Sequence, residues 1–383
     1  MWEMTSRQRV MTALEHREPD RVPWDCTFTI KAYQSLVNYL GFTGEDPQAR
    51  NWASVVSPSV DLLNELQTDL YYVGLSSPKN APVFEYGREK NMDEWGISFK
   101  KVIQPNGNIE YFFDKQPLAK ATIKDLADYP WPDPTDPSRV EGLEEKCRKL
   151  YENTNFALVG RFNNPIFEQA HYMRGFEQFL LDCAVDPEFA GALMAKTTEI
   201  AIGMVKAGLK ACGKYLTILR LAGDDMGQQQ STLLSPRMFR DLVKPYFFRL
   251  YKAAKEEFLK YNSNGKIKAH TDGNVYPILE DYMEMGLDIL NPVQPYVAEM
   301  DHTRIKKEYG HRLSFHGGID IQRVLPFGTP DEVRAEAKKT MTALGPGGGY
   351  ILAPTHYLLA DVPPENVIAL RDAVLETGKY PLR

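Results

Sequence analysis

From about Val140 onward, short apolar runs alternate with longer stretches whose apolar residues recur at helical spacing. The runs are Phe156–Gly160, Leu216–Ala222, Lys266–Ala269, Asp288–Asn291, Leu313–Phe315 and Tyr350–Ala353. Between them the pattern predicts helices over Gly175–Ala184, Pro187–Ala207, Pro236–Leu259, Val275–Met285, Met300–Tyr309 and Pro330–Leu344. Nearly continuous apolar runs suit strands buried on both faces, and strand–helix alternation joins such strands in parallel through crossovers. Six visible units predict a single (β/α)8 TIM barrel whose first strands are hard to read. A doubly wound open sheet is the other arrangement of such units. Against it, no G-x-G-x-x-G follows any run and no Walker loop occurs.

The first 135 residues read differently. Trp2 to Glu18 carries Val10, Met11 and Leu14 at helical spacing, with Thr5 or Ser6 as N-cap. Pro19 to Pro23 ends that helix, and Val22-Pro23-Trp24 begins an extended stretch. Between Leu70 and Pro134 the chain is rich in Pro, Gly and aromatic residues, with a hairpin expected near Pro105-Asn106-Gly107-Asn108. The cluster Tyr129-Pro130-Trp131-Pro132-Asp133-Pro134 excludes helix and central strand. We therefore expect one domain over 1–383, with 1–135 as an N-terminal extension and lid over the barrel mouth and 136–383 as the main barrel units. Tyr71 to Trp131 is long for a barrel connection, and long ordered insertions tend to carry function. Trp95 or Tyr72 would then stack on a planar substrate. The alternative is that these aromatics only attach the extension to the barrel.

Composition narrows the partners. Hydrophobic residues at 43% and charged residues at 25% are ordinary globular values that exclude gross disorder. A net charge of −6 argues against nucleic acid and anionic membranes as partners. The N-terminus has no signal-peptide pattern, and no stretch approaches the roughly 18 apolar residues of a membrane helix. Cys26, Cys147, Cys183 and Cys212 lie far apart without a C-x-x-C pair, as thiols of a reducing compartment do. A cytoplasmic location is expected.

Barrel enzymes carry their chemistry at the carboxyl ends of the strands. The residues after the six runs are Arg161, Asn163, Asn164 and Glu168; Gly223-Asp224-Asp225-Met226-Gly227; His270-Thr271-Asp272-Gly273; Pro292-Val293-Gln294; His316-Gly317-Gly318; and Pro354-Thr355-His356. Residues i and i+2 of an extended chain share a side, so His270 and Asp272 converge. Imidazole and carboxylate both bind zinc, and catalytic zinc takes three protein ligands and keeps a position open. His356 completes a candidate set of His270, Asp272 and His356. The competing reading makes His270 an ordinary hydrogen-bonded histidine and Asp272 a turn or cap residue. Of Asp224 and Asp225, adjacent and oppositely directed, one is expected to reach the mouth for proton work beside His270, while the other caps the loop or pairs with an arginine. Asn163, Glu168, Gln294 and His316 are candidate substrate contacts, Glu168 doubling as a substitute metal ligand. The glycines after His316 would let backbone amides approach an anion, or make a tight turn. His171, His302 and His311 are expected to be solvated, and Cys183 and Cys212 to be core.

These residues also form a longer pattern. Arg9…Ala13-Leu14…Pro19-Asp20-Arg21-Val22-Pro23, Asp93-Glu94-Trp95-Gly96, Tyr129-Pro130-Trp131-Pro132, Gly223-Asp224-Asp225-Met226-Gly227 and His270-x-Asp272-Gly273 occur in order. Asn291-Pro292-Val293-Gln294, Gly317-Gly318-Ile319-Asp320, Gly348-Gly349-Tyr350-Ile351-Leu352-Ala353-Pro354 and Pro363-Pro364-Glu365-Asn366-Val367 follow. The whole resembles the uroporphyrinogen decarboxylase superfamily, in its branch of corrinoid-linked methyltransferases, which implies a (β/α)8 barrel. True porphyrinogen decarboxylases carry Arg-Gln-Ala-Gly-Arg after the early Pro-x-Trp. Here Pro23-Trp24 leads into Asp25-Cys26-Thr27-Phe28-Thr29, an acidic, arginine-poor approach for a substrate with many carboxylates.

The zinc methyltransferases of that family use His-x-Cys and a later Cys. The matching positions are His270-Thr271-Asp272 and His356, so carboxylate and imidazole replace thiolates. Harder ligands leave zinc a stronger Lewis acid, suited to an oxygen substrate. The resemblance thus implies demethylation of a small methylated substrate, an aryl methyl ether, with the methyl passed to a corrinoid. No Asp-x-His-x-x-Gly cobalamin pattern occurs, so the corrinoid is expected on a separate partner protein. Two other functions stay open: a decarboxylase or lyase using Asp224 or Asp225 as acid, and a non-catalytic corrinoid-partner protein.

Overall fold

A computed structural model describes residues 3–43, 49, 51–104 and 108–382, and the statements below concern these residues. Seven strands form one parallel sheet: β1 (Leu70–Gly74), β2 (Ala157–Arg161), β3 (Ile218–Leu221), β4 (Lys266–His270), β5 (Ile289–Asn291), β6 (Ser314–Ile319) and β7 (Tyr350–Pro354). They are hydrogen-bonded in chain order from β1 to β7. The extended segment from Val22 to Asp25 fills the gap between the edges. The Asp25 and Leu352 amides bond to Leu352 O and Pro23 O at 2.9 and 2.8 Å on one side, and the Asp69 amide bonds to Trp24 O at 2.9 Å on the other. The Trp24–Leu352 bridge is parallel, so the ring closes as a barrel with eight staves.

All six runs expected to be strands are strands, with ends that agree or shift by up to four residues. The two missing staves lie inside the stretch assigned to extension and lid. Leu70–Gly74 was obscured by Tyr71 and Tyr72, since aromatic residues favour strands as readily as they signal a lid. The barrel therefore draws on residues on both sides of position 135. Pro236–Leu259 is interrupted: a π-helical turn over Phe239–Val243 precedes the regular helix Lys244–Leu259. Helices over Ile30–Tyr39, Leu143–Asn153 and Pro364–Thr377 add to those expected.

The first helix, α1 (Ser6–Leu14), begins with a capping box in which Thr5 and Gln8 satisfy each other's backbone amides. Val10 and Leu14 on one face join Leu70, Ala157, Val159, Ile218, Ile289 and Ile351 in an apolar plug inside the barrel. Each such burial contributes roughly 1.5–3 kcal/mol. On its other side Arg9 bridges Asp20 and Asp69, both at 2.6 Å, and Arg21 reaches Asp69 at 2.8 Å. Asp69 also accepts the Trp24 amide at 2.9 Å. The early Arg9…Asp20-Arg21 pattern is thus a buried clamp that seats α1 and the closing segment.

Because side chains on a strand alternate, the residue two positions on faces the same interior. Leu70 is followed by Tyr72, Val159 by Arg161, Ile218 by Arg220 and Ile289 by Asn291. The interior changes from apolar to polar toward the carboxyl ends, and the site begins where it changes.

In the extension, Lys90–Met92, Ser98–Ile103 and Ile109–Lys115 form an antiparallel sheet, so the expected hairpin exists, although 105–107 of its turn lie outside the described residues. Trp52 stacks on Phe99 at 6.2 Å, and Phe113 stacks on Tyr172 at 4.9 Å. Tyr172 belongs to α2 (Phe167–Arg174), the helix that follows β2 at the mouth end of the barrel. The extension therefore rests on the rim. His171 and His302 are half-buried instead of solvated, because aromatic rings surround His171 and the Val293 carbonyl lies beside His302. Cys26, Cys147, Cys183 and Cys212 are free and buried. No described helix is long and apolar enough to cross a membrane.

Candidate active site

A cavity opens at the carboxyl ends of the strands, with about 430 Å³ of free space when the part open to solvent is included. Asp25, Tyr72, Arg161, Arg220, Lys268, His270, Asn291, His316, His356 and Tyr357 supply its polar lining. His270, Asp272 and His356 bring one ligand atom each to within 4.8 Å of one another. His270 Nε2 lies 3.8 Å from Asp272 Oδ2 and 3.9 Å from Asp225 Oδ1.

Glycines make this convergence possible. A side chain at Gly223 would strike the His270 ring at 2.6 Å. Gly227 and Gly273, the latter at a positive φ of 82°, place the loops after β3 and β4 back to back, where any Cβ would meet the other backbone at 2.4–2.7 Å. The Asp272 amide then bonds to Asp225 Oδ1 at 2.8 Å. Burial, followed by the nearby Asp225, pushes the Asp272 pKa well up, so the two carboxylates crowd a place that a cation would relieve.

Behind the triad runs a hydrogen-bonded chain. His270 Nδ1 lies 2.9 Å from Asn291 Oδ1, and Asn291 Nδ2 lies 2.8 Å from His316 Nδ1. His316 Nε2 meets Asp25 Oδ2 at 3.0 Å, Tyr72 donates to Asp25 Oδ2 at 2.6 Å, and Lys268 donates to Tyr72 at 2.8 Å. The carboxylate sets the polarity. Asp25 requires a proton on His316 Nε2, leaving His316 Nδ1 to accept from the Asn291 amide, which also donates to His316 O at 3.3 Å. Asn291 Oδ1 must then accept from His270 Nδ1, and the bare Nε2 of His270 faces Asp272 and Asp225. That tautomer is the one a metal ligand needs.

The electrostatics agree with neutral imidazoles. Burial lowers the pKa of His270 to about 3 and of His316 to about 4, and lowers His356 as well. Burial alone would raise Asp25, but His316, Lys268 and Tyr72 hold it below its usual value. Burial lowers Lys268 to about 7. Burial likewise opposes ionisation of Tyr357, yet Arg161 and Arg220 pull it below its ordinary value.

Several expected site residues have other work. Asp224, considered as an acid, has its carboxylate tied to the amides of Ile166, Phe167 and Glu168 at 2.6–3.0 Å. It caps the start of α2, where unpaired amides and the helix dipole favour it, while burial pushes its pKa up to about 7. Asp225 is the carboxylate that reaches the mouth. Glu168 accepts from Tyr172 at 3.1 Å and from the Asp225 amide at 3.4 Å, and does not join the group of His270, Asp272 and His356. Burial and the two neighbouring aspartates push its pKa well up. Asn163 accepts the Ala222 amide at 3.3 Å, and Gln294 accepts the Gly273 amide at 3.0 Å, so both brace loops instead of lining the cavity. His316 lines it. Gly317 and Gly318 are inside β6 against Val293, Pro292 and Tyr350, not at an anion.

Trp95, expected to stack on substrate, is 2% exposed and sits edge-on to Trp131 at 6.3 Å, away from the cavity. Tyr129 donates to Trp95 O at 2.5 Å. The Asp93-Glu94-Trp95-Gly96 and Tyr129-Pro130-Trp131 patterns thus attach the extension, and of the expected lid only Tyr72, a barrel residue, lines the cavity. The arginine-poor approach read at Asp25 is also corrected, since Arg161 and Arg220 come from other strands. Arg220 and Lys268 passed unnoticed inside apolar runs. A charge within a strand buried on both faces was the available signal.

A family model described as uroporphyrinogen decarboxylase (URO-D) matches residues 108–377. The uroporphyrinogen decarboxylase of Chlorobium phaeobacteroides is 26% identical over 199 residues, 51% of each chain. The methylcobamide:CoM methyltransferase MtaA of Methanosarcina barkeri is 27% identical over 175 residues, 46% of this chain and 48% of that one. The chain spans about half the length of most curated relatives it matches. A solved methyltransferase from Methanosarcina mazei superposes with a TM-score of 0.64 at 19% identity, covering 98% of this chain and 99% of that one, and shares the fold.

Proposed function

Since the chain belongs to the uroporphyrinogen decarboxylase family, we propose that it is a methyltransferase that demethylates a small methylated substrate, an aryl methyl ether, and passes the methyl to a corrinoid carried by a separate protein. The observation that carries the reading is the His270, Asp272 and His356 triad at the barrel mouth. Tetrahedral zinc with bonds of about 2.1 Å spaces its ligand atoms by roughly 3.4 Å. The 3.8 Å between His270 and Asp272 closes to that with a side-chain adjustment. Three ligands leave a fourth position, and the bare Nε2 of His270 fits the group. Likeness to a methylcobamide:CoM methyltransferase supports a corrinoid as the methyl carrier.

A bound zinc would supply Lewis acidity for charge developing on the departing oxygen. The chain's own residues do the rest. Asn291, His316 and Asp25 hold His270 in one orientation and one tautomer. Asp225, anchored to the Asp272 amide, stands beside the triad where a proton can be received or returned to the leaving oxygen.

Purified protein is assayed with a corrinoid protein and a panel of methoxylated aromatic compounds, and zinc is measured by elemental analysis. Methyl transfer to the corrinoid, stoichiometric zinc, and zinc loss in His270→Ala and His356→Ala but not in His316→Ala are expected. No demethylation across the panel, or zinc retained in both ligand variants, overturns the reading.

A further inference from the structure

We infer that the substrate carries a carboxylate-type anion, held by Arg161 and Arg220 with Lys268 beside them, in the layer of the barrel two residues before His270. The inference deepens the methyltransferase reading and rests on it for the identity of the remaining part of the substrate.

The argument starts from strand register. Arg161 is directly opposite Arg220, and Arg220 is directly opposite Lys268. Three cations thus form a row across three neighbouring strands, all facing the cavity. Like charges in cross-strand pairs are destabilising, and their removal from water adds a further cost. The Tyr357 hydroxyl beside the two arginines and Asp25 beside Lys268 offset this only in part. Among the described residues the Arg220 side chain has no hydrogen bond or ion pair, and the Arg161 side chain bonds only to the Tyr357 hydroxyl at 3.3 Å. Lys268, 1% exposed, donates to Tyr72.

Other shielded arginines of this chain are treated differently. Arg9 and Arg21 share Asp69, Arg139 pairs with Glu94, and Arg174 pairs with Asp182 at 2.6 Å. Asp25, the one carboxylate in the cavity lining, is already taken by His316 and Tyr72. The arginine row is therefore completed only by an incoming anion. Two guanidinium groups from adjacent strands offer parallel N–H donors to the two oxygens of a carboxylate.

Position supports the assignment. His270 follows Lys268 by two residues on the same strand face, a rise of roughly 7 Å. A para-substituted benzoate spans such a gap, with its anion on the cations and its ether oxygen at the triad.

The test is calorimetric binding of 4-methoxybenzoate and of its neutral analogue 4-methoxybenzamide to the purified protein, without a corrinoid protein. The acid should bind about tenfold or more tighter than the amide, the ratio expected from losing a hydrogen bond to a charged group. Arg161→Met and Arg220→Met should bring the two ligands to within about twofold. Each folded variant should also unfold, without ligand, at no lower temperature than the parent, because a repulsion has been removed. Equal binding of acid and amide to the parent protein overturns the inference, even if a variant fails to fold. So does a preference that survives in both arginine variants and vanishes on zinc removal, which assigns the carboxylate to the metal. Binding of the acid through the arginines without any demethylation keeps this subsite and ends the methyltransferase reading. Equal turnover of neutral and acidic ethers does the reverse.

Discussion

Replacing Asn291 with Leu separates the hydrogen-bonded chain behind the triad from the triad itself. The two side chains are similar in volume, so the change removes polarity more than packing. Three contacts disappear, 2.9 Å to His270 and 2.8 Å to His316 Nδ1, with a longer one of 3.3 Å to His316 O, and the first two concern ring atoms. Each of those two leaves a polar ring atom without a partner, at a cost of about 1–3 kcal/mol. The expected loss of stability is therefore about 2–6 kcal/mol, read by chemical denaturation of metal-free protein. A second effect is separable. His270 loses the acceptor that fixes its tautomer, and loss of such a partner typically weakens metal binding by about 10–100-fold. Competition with a chromophoric zinc chelator measures that ratio on folded protein. Asn291→Leu protein with parental zinc affinity would refute the claim that this chain orients a metal ligand. An unchanged unfolding midpoint would refute the hydrogen-bond assignment.

The other predictions address the frame of the barrel. Asp69→Asn leaves Arg21 buried with a neutral partner and Arg9 with Asp20 alone, so denaturation should show about 3–5 kcal/mol lost; a loss under about 1 kcal/mol contradicts the clamp. Burial lowers His171 to about 4 from an unfolded value of 6.5. The unfolded chain therefore takes up the proton first, and the stability from neutral His171 is whole above pH 6.5 and lost as pH falls toward 4. His171→Phe should remove about 3 kcal/mol of that acid-dependent loss, as unfolding at pH 7.5 and pH 4 will show; identical pH dependence in both proteins sinks the assignment. Trp95→Phe should leave KM unchanged while altering stability by under about 1 kcal/mol, since the buried Nε1 has no partner to lose. A several-fold rise in KM would return Trp95 to the substrate.

The sequence alone determined much of this protein. Six strands were legible because parallel strands covered on both faces must be apolar from end to end, and such runs stand out between helices of a different period. The His270, Asp272 and His356 set was legible because barrel chemistry lies just past those runs, and alternation puts His270 and Asp272 on one side. What sequence could not decide were relations between residues far apart in the chain. Which of Asp224 and Asp225 faces the mouth depended on where the start of α2 came to lie, since three amides captured Asp224. The lid was misread at Tyr72, because an aromatic residue looks the same in a strand as in an insertion, and only closure of the ring through Trp24 and Asp69 shows it to be barrel. The row of Arg161, Arg220 and Lys268 is invisible along the chain, where the three residues are separated from one another by whole helical crossovers. Register makes them neighbours, and register is set by backbone hydrogen bonds between strands that the local pattern of residues does not encode.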